Sequence, residues 1–340
     1  MKKPHGNWLL PVLTVLVVAT VIVGGCQSKT PTPMSEPQET EHEHAMPELA
    51  AVTLGEGEKL SVVATTNIVG DVVGRVGGDK IVLKVLMAPG VDPHTYVPTP
   101  SDTAAIHDAH IVFANGAGLE VDLEEVFDTA GGSAAHSHVS EGLDFRPAPG
   151  GDEHDEAESE DEHDHGDVDP HVWFSVPNVI HWVENVEHAL SALDPANAGV
   201  YAENAAAYVA ELEALDAWVF EQVAEVPAAN RKLVTNHPAF GYFADRYGLE
   251  QVGAVYPVSP SAEPSALDIA ALQEAIREFG VPAVFAESTV NPRLAEQVAQ
   301  DTGVVLVPLY TGSLGGPGSG VESYVDLIRY DVAAIVNALK

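Results

Sequence analysis

Short β-branched runs alternate with helix-forming segments twice along this chain. The two stretches flank residues 201–226, which hold many Ala, Glu and Leu and neither Pro nor Gly. Such alternation builds a mostly parallel sheet with helices packed against it. In the first stretch, residues 60–66, 81–86 and 111–114 read as strands, and 69–76 and 100–110 as helices. In the second, strands are expected at 232–235, 251–255, 283–286 and 304–308, with helices at 240–247, 265–279, 292–302 and 321–339. The uninterrupted segment between them predicts one long helix. The expected fold class is therefore α/β, with two lobes, each a mostly parallel sheet flanked by helices. The N-terminal lobe spans 58–178, the linking helices 179–230 and the C-terminal lobe 231–340. A chain of 340 residues suits two lobes of roughly 100–150 residues each.

The N-terminus carries a different message. Lys2 and Lys3 precede an apolar run from Trp8 to Val23, followed by Gly24, Gly25 and Cys26. This is the anatomy of an export signal over residues 1–25. The run is interrupted by Pro11 and falls short of the ~20 residues of a comfortable spanning helix. Val23-Gly24-Gly25-Cys26 resembles a bacterial lipobox, which implies that Cys26 becomes the lipidated first residue of the mature protein. The alternative is an uncleaved N-terminal anchor. Residues 26–57, rich in Pro, Glu, Ser and Thr, read as a disordered tether.

The formal net charge is -36, which excludes a nucleic-acid partner, because phosphates demand Lys and Arg. A surface of this sign attracts cations, although it also simply keeps an exported protein soluble. Cys26 is the only cysteine, so neither a disulfide framework nor a thiolate metal site is possible. Any metal must be held by His, Asp or Glu. One segment, 150–169, is built almost wholly from Asp, Glu, His and Gly. It can bury no core and reads as a loop. Its His154, His163 and His165 make it a candidate accessory metal loop that gathers ions weakly; the alternative is a solvated charge run.

Four groups could carry chemistry. His94 follows the second strand in Asp92-Pro93-His94, and His171 stands in Asp169-Pro170-His171. His237 ends the strand 234–237, and Glu287 ends the strand 284–287. In open α/β sheets, ligands collect beyond the carboxyl ends of strands. Any one of these histidines alone reads as an ordinary polar residue. The repeated Asp-Pro-His changes that, because proline holds the residue before it extended and so aims the histidine. Asp92 and Asp169 either orient the imidazoles or serve only as turn residues. Imidazole nitrogen suits zinc, copper, nickel and iron.

These motifs resemble the zinc/manganese (cluster A-I) solute-binding proteins of ABC importers, most of all the zinc-specific members. The matching segments are 92–96 with 98–102, 169–173, 235–243 and 261–265, and the resemblance runs from about Leu60 to Lys340. It implies two pseudo-symmetric lobes joined by a rigid helix. It further implies an extracytoplasmic, lipid-anchored, monomeric receptor that captures Zn(II) between the lobes through His94, His171 and His237. The cargo would pass to the membrane permease of an ABC importer. Manganese-selective members tend to carry a carboxylate where this chain has His237, and an acidic His-rich loop before the second ligand is typical of zinc members. One feature departs from the pattern. Many members supply an Asp where Gly312 stands, and no acidic residue occurs from Val304 to Gly320. The fourth position therefore falls to Glu287, to water or to nothing. Alternatives are the same receptor for Mn(II), Fe(II) or Ni(II), a zinc hydrolase with three His ligands and Glu287 as base, and a lipid-anchored adhesin that uses metal structurally.

Overall fold

The computed structural model describes residues 49–148, 168–256 and 264–340. The first lobe runs β1 (Leu60–Ala64), α1 (Asn67–Gly77), β2 (Ile81–Val85), α2 (Pro100–Asp108), β3 (Ile111–Ala114), α3 (Val121–Thr129) and β4 (Ala135–His138). Two helices follow, α4 (Val176–Leu193) and α5 (Ala198–Ala224). The second lobe runs β5 (Lys232–Thr235), α6 (Gly241–Tyr247), β6 (Glu250–Ala254), α7 (Ala266–Phe279), β7 (Ala283–Glu287), α8 (Arg293–Thr302), β8 (Val305–Leu309) and α9 (Tyr324–Leu339).

Both sheets are parallel throughout and share one strand order, β2-β1-β3-β4 in the first lobe and β6-β5-β7-β8 in the second. The burial of each strand follows from that order. Central strands β3 and β7 are buried at every position, as sheets covered on both faces require. The edge strands β2 and β8 alternate or face outward. The order reverses direction between β1 and β3, and again between β5 and β7. Such points leave a crevice at the carboxyl ends of the strands.

Helix α5 is the spine. Its 27 residues reach about 40 Å at 1.5 Å per residue. Tyr201, Ala205, Tyr208, Leu212, Leu215, Val219 and Val223 are buried along it, at the spacings that keep one stripe inward. That stripe packs on α4, on α1 of the first lobe and on α9 of the second. Asn204 Nδ2 donates to Val76 O at 2.9 Å, and the Arg329 guanidinium lies over the Trp218 ring. One apolar core therefore runs from Leu60 and Val72 through Trp182 and Leu212 to Leu327 and Val336. The linking segment consists of α4 and α5, with α5 the long continuous helix expected over 201–226, and the two meet at Asp194-Pro195. The Asp194 carboxylate closes the corner by accepting from Asn197 Nδ2 at 2.7 Å and from the Tyr201 hydroxyl at 2.9 Å.

Two elements escape the sequence pattern. Strand β4 reads Ala-His-Ser-His and lacks the usual β-branched residues. It exists because its backbone pairs in register with β3, Ile111 opposite Ala135 through Ala114 opposite His138. Helix α3 is short and acidic. Among the described residues, no helix is long and apolar enough to cross a membrane.

Candidate metal centre

The two Asp-Pro-His segments form the same turn. Asp92 Oδ1 accepts from His94 N at 3.0 Å, and Asp169 Oδ1 accepts from His171 N at 3.1 Å. This side-chain turn, with proline in its middle, fixes where each histidine leaves the backbone. The His171 turn is anchored further by Asn115 Nδ2, which donates to Pro170 O at 3.2 Å. His237 is reached differently. It lies beyond β5 at the switch point, where its N donates to Glu287 Oε1 on neighbouring β7 at 2.9 Å.

The three rings converge. His171 Nε2 lies 3.0 Å from His94 Nε2 and 2.9 Å from His237 Nε2, and the three ligand atoms all fall within 4.8 Å of one another. Nitrogens held about 2.0–2.1 Å from one tetrahedral ion stand about 3.3 Å apart, close to the two separations from His171. The opposite ring nitrogens fix the tautomers of two rings. His171 Nδ1 faces Asp169 Oδ1 at 2.7 Å, and His237 Nδ1 faces Glu287 Oε1 at 2.6 Å. Each Nδ1 carries the proton and each Nε2 presents a lone pair, as in carboxylate–histidine–metal arrangements. Lone pairs that meet repel, so the cluster is satisfied by a cation at its centre or by a proton on one ring.

The electrostatics single out which ring. Burial, and then the neighbouring rings, push the His94 pKa well below the usual imidazole value. Burial also lowers His171, against the pull of Asp169. At His237 burial again disfavours charge, but attraction to Glu287 and the hydrogen bond with it outweigh that, and the pKa rises. Burial likewise opposes ionisation of Glu287, yet His237 and the hydrogen bonds hold its pKa down. His171 and His237 are buried, and His94 is half-buried beside a cleft of about 180 Å³ lined in part by Tyr96, Leu119 and Asp122.

Glu287, one of the sequence's candidates for the fourth position beside water or nothing, lies behind His237. Its Oε1 is taken by His237 N and Nδ1, and its Oε2 accepts from Thr311 Oγ1 at 2.8 Å. Among the described residues, the convergent cluster consists of the three histidines alone. Thr311 escapes sequence reading because only the fold brings it to Glu287. The loop that carries it also crosses to the first lobe. Trp173 Nε1 donates to Thr311 O at 3.1 Å, and Asn67 Nδ2 donates to Ser313 Oγ at 2.8 Å. At Gly312 a Cβ would come 2.8 Å from Pro93 Cδ, so that position packs flat against the residue before His94. Cys26, His154, His163, His165 and the segment 261–263 lie outside the described residues.

Residues 62–338 match the family model described as ZnuA, the periplasmic zinc-uptake complex component A. The chain belongs to this family. Among curated relatives, a manganese-binding lipoprotein MntA of Halalkalibacterium halodurans is 32% identical over 84% of this chain and 91% of its own. The iron-binding protein YfeA of Yersinia pestis is 33% identical over 82% of this chain and 86% of its own. Among solved structures, the periplasmic zinc-binding protein TroA of Treponema pallidum is 31% identical and superposes with a TM-score of 0.73, over 83% of this chain and 99% of that one. As a member of the ZnuA family the chain is a metal-binding solute-binding protein of ABC importers and not an enzyme, which removes the hydrolase reading.

Two outcomes follow from the His237–Glu287 pair. Glu287→Gln keeps the volume but loses the charge that holds the imidazole, and should weaken metal binding roughly 10–100-fold in a chelator-competition titration. Unchanged affinity would contradict the orienting role. The second concerns pH. Metal binding requires neutral Nε2, and only His237 has its pKa raised. Affinity measured against pH should therefore be flat above the raised His237 value and fall by about tenfold per unit below it, as one proton must be displaced. The lowered His94 and His171 add their protons only at still lower pH. A titration flat from pH 8 to about 5 would refute this.

Proposed function

We propose that the protein captures Zn(II) between its lobes, through the Nε2 atoms of His94, His171 and His237, and delivers it to the permease of an ABC importer. The observation that carries the reading is the donor set: three imidazole nitrogens with no carboxylate among them. Such a set suits zinc, whereas manganese favours carboxylate and water oxygens. The close approach of Gly312 to Pro93 supports it, since a side chain there would have to displace the residue next to His94. Glu287, with both oxygens engaged by His237 and Thr311, holds a ligand in place and leaves the fourth position to solvent. Likeness to the zinc-binding TroA points the same way.

A second reading is favoured by the curated relatives, which are named for manganese and iron. In it the same receptor carries Mn(II) or Fe(II). The remaining proposals come from the sequence. Residues 1–25 are an export signal, Cys26 bears the lipid, and 26–57 tether a monomeric receptor, lobes 58–178 and 231–340 joined through 179–230, to the outer side of the membrane. His154, His163 and His165 gather metal weakly near the cleft. The names of the relatives, several of them lipoproteins, support the anchor.

Metal analysis of protein purified without added metal or a His-tag, followed by competition titration, tests the cargo. About one tightly held zinc per chain is expected, with manganese unable to displace it. Changing His94, His171 or His237 singly to Ala should weaken zinc binding by orders of magnitude while the circular dichroism spectrum stays the same. One equivalent of manganese or iron in place of zinc would decide for the second reading.

A further inference from the structure

The metal cluster draws on both lobes, so something must hold the His171 turn at a fixed distance from His237. Tyr242 lies in the first turn of α6, the helix that follows His237. Its hydroxyl accepts from Arg146 N at 2.9 Å and donates to Asp169 O at 2.8 Å. Asp169 N donates in turn to Arg146 O at 2.8 Å, and Pro147 pairs with Val168 in an antiparallel bridge. One phenol from the second lobe therefore closes onto two chain segments of the first, at the root of the turn that presents His171.

The surroundings press the same contact. The Arg146 guanidinium lies over the Tyr242 ring at 5.7 Å and pairs with Asp245 on the same helix. A Cβ at Gly241 would come 2.7 Å from Arg146 Nε and 3.0 Å from Asp169 Oδ2, so α6 meets this corner as closely as glycine permits. Asp169 is also the residue whose Oδ1 holds His171 by its N and its Nδ1. The path from Tyr242 to His171 is short: one hydrogen bond to the Asp169 carbonyl, the covalent frame of Asp169, and its Oδ1 contacts to His171.

We propose that Tyr242 is a positioning residue of the metal centre: by bridging Arg146 N and Asp169 O, its hydroxyl sets the spacing of His171 from His237 across the two lobes. It touches no cargo and acts through Asp169. The inference rests on the reading of the three histidines as the cargo site. Loss of the hydroxyl leaves the ring packed but frees the His171 turn, so the ligands still gather around the ion with a less defined geometry and release it sooner.

The test uses the full chain, with Co(II) as the probe, because its visible absorption differs in shape and intensity between four- and six-coordinate sites. Tyr242→Phe should bind Co(II) with an altered visible spectrum and release it to a chelator roughly tenfold faster, the size expected of one or two neutral hydrogen bonds. Tyr201→Phe is the control. It removes a hydrogen bond to Asp194 on the linking helices, and should lower thermal stability while leaving Co(II) spectrum and release unchanged. An unaltered spectrum and release rate in Tyr242→Phe would overturn the proposal, as would the same change in Tyr201→Phe, which would mark a general loosening. A wild-type protein that takes up no Co(II) would overturn the reading of the site itself.

Discussion

The buried contact between His237 and Glu287 is the constraint on which the metal centre turns. A carboxylate out of water costs several kcal/mol unless it is paired and hydrogen-bonded. Glu287 is 4% exposed and is satisfied by His237 N, His237 Nδ1 and Thr311 Oγ1. Because the carboxylate takes the Nδ1 side, Nε2 is left to face His171 Nε2 in the cluster. The first lobe holds a carboxylate in the corresponding crevice. Glu120 accepts from Thr65 Oγ1 at 2.6 Å, Asn115 N at 2.8 Å and Gly116 N at 3.2 Å, joining the ends of β1 and β3. Its hydrogen-bond partners there are a hydroxyl and two backbone N–H groups rather than an imidazole, and burial drives its pKa up. The lobes share a scaffold and differ in what the crevice presents.

The other two histidines of the cluster come from a local device used twice. An Asp-Pro-His turn needs only three residues to aim its histidine, which is why both copies stand out in the sequence. Their carboxylates then diverge. Asp169 reaches round to His171 Nδ1 as well as to the backbone. Asp92 accepts from the backbone N of His94 and bonds the Thr95 side chain, and His94 lines the open cleft. The centre thus combines two rings locked by buried carboxylates with one set on a half-buried turn.

Much of this was readable in advance, for physical reasons. Central strands of a parallel sheet are apolar on both faces, so β1, β3, β5 and β7 announce themselves. The histidines lie at strand ends or in proline turns, where local sequence fixes the backbone. What stayed hidden depends on partners far along the chain. Strand β4 is a strand only because β3 is beside it. Glu287 ends its strand as expected, but the contacts that engage its oxygens come from Thr311 and His237, far along the chain. Tyr242 and Asn67 look like ordinary helix residues until the lobes are brought together. Pro195 stands in the sequence between the linking helices, but that the Asp194 carboxylate closes the corner onto Asn197 and Tyr201 depends on the folded turn.

The three convergent imidazoles predict a nitrogen-only protein contribution to the bound ion. X-ray absorption at the zinc edge of the loaded protein reads this directly. Three imidazole nitrogens at about 2.0–2.1 Å, with the outer-ring scattering typical of histidine and room for one oxygen, are predicted. A spectrum dominated by carboxylate oxygen, or one that needs fewer than three imidazoles, would contradict it.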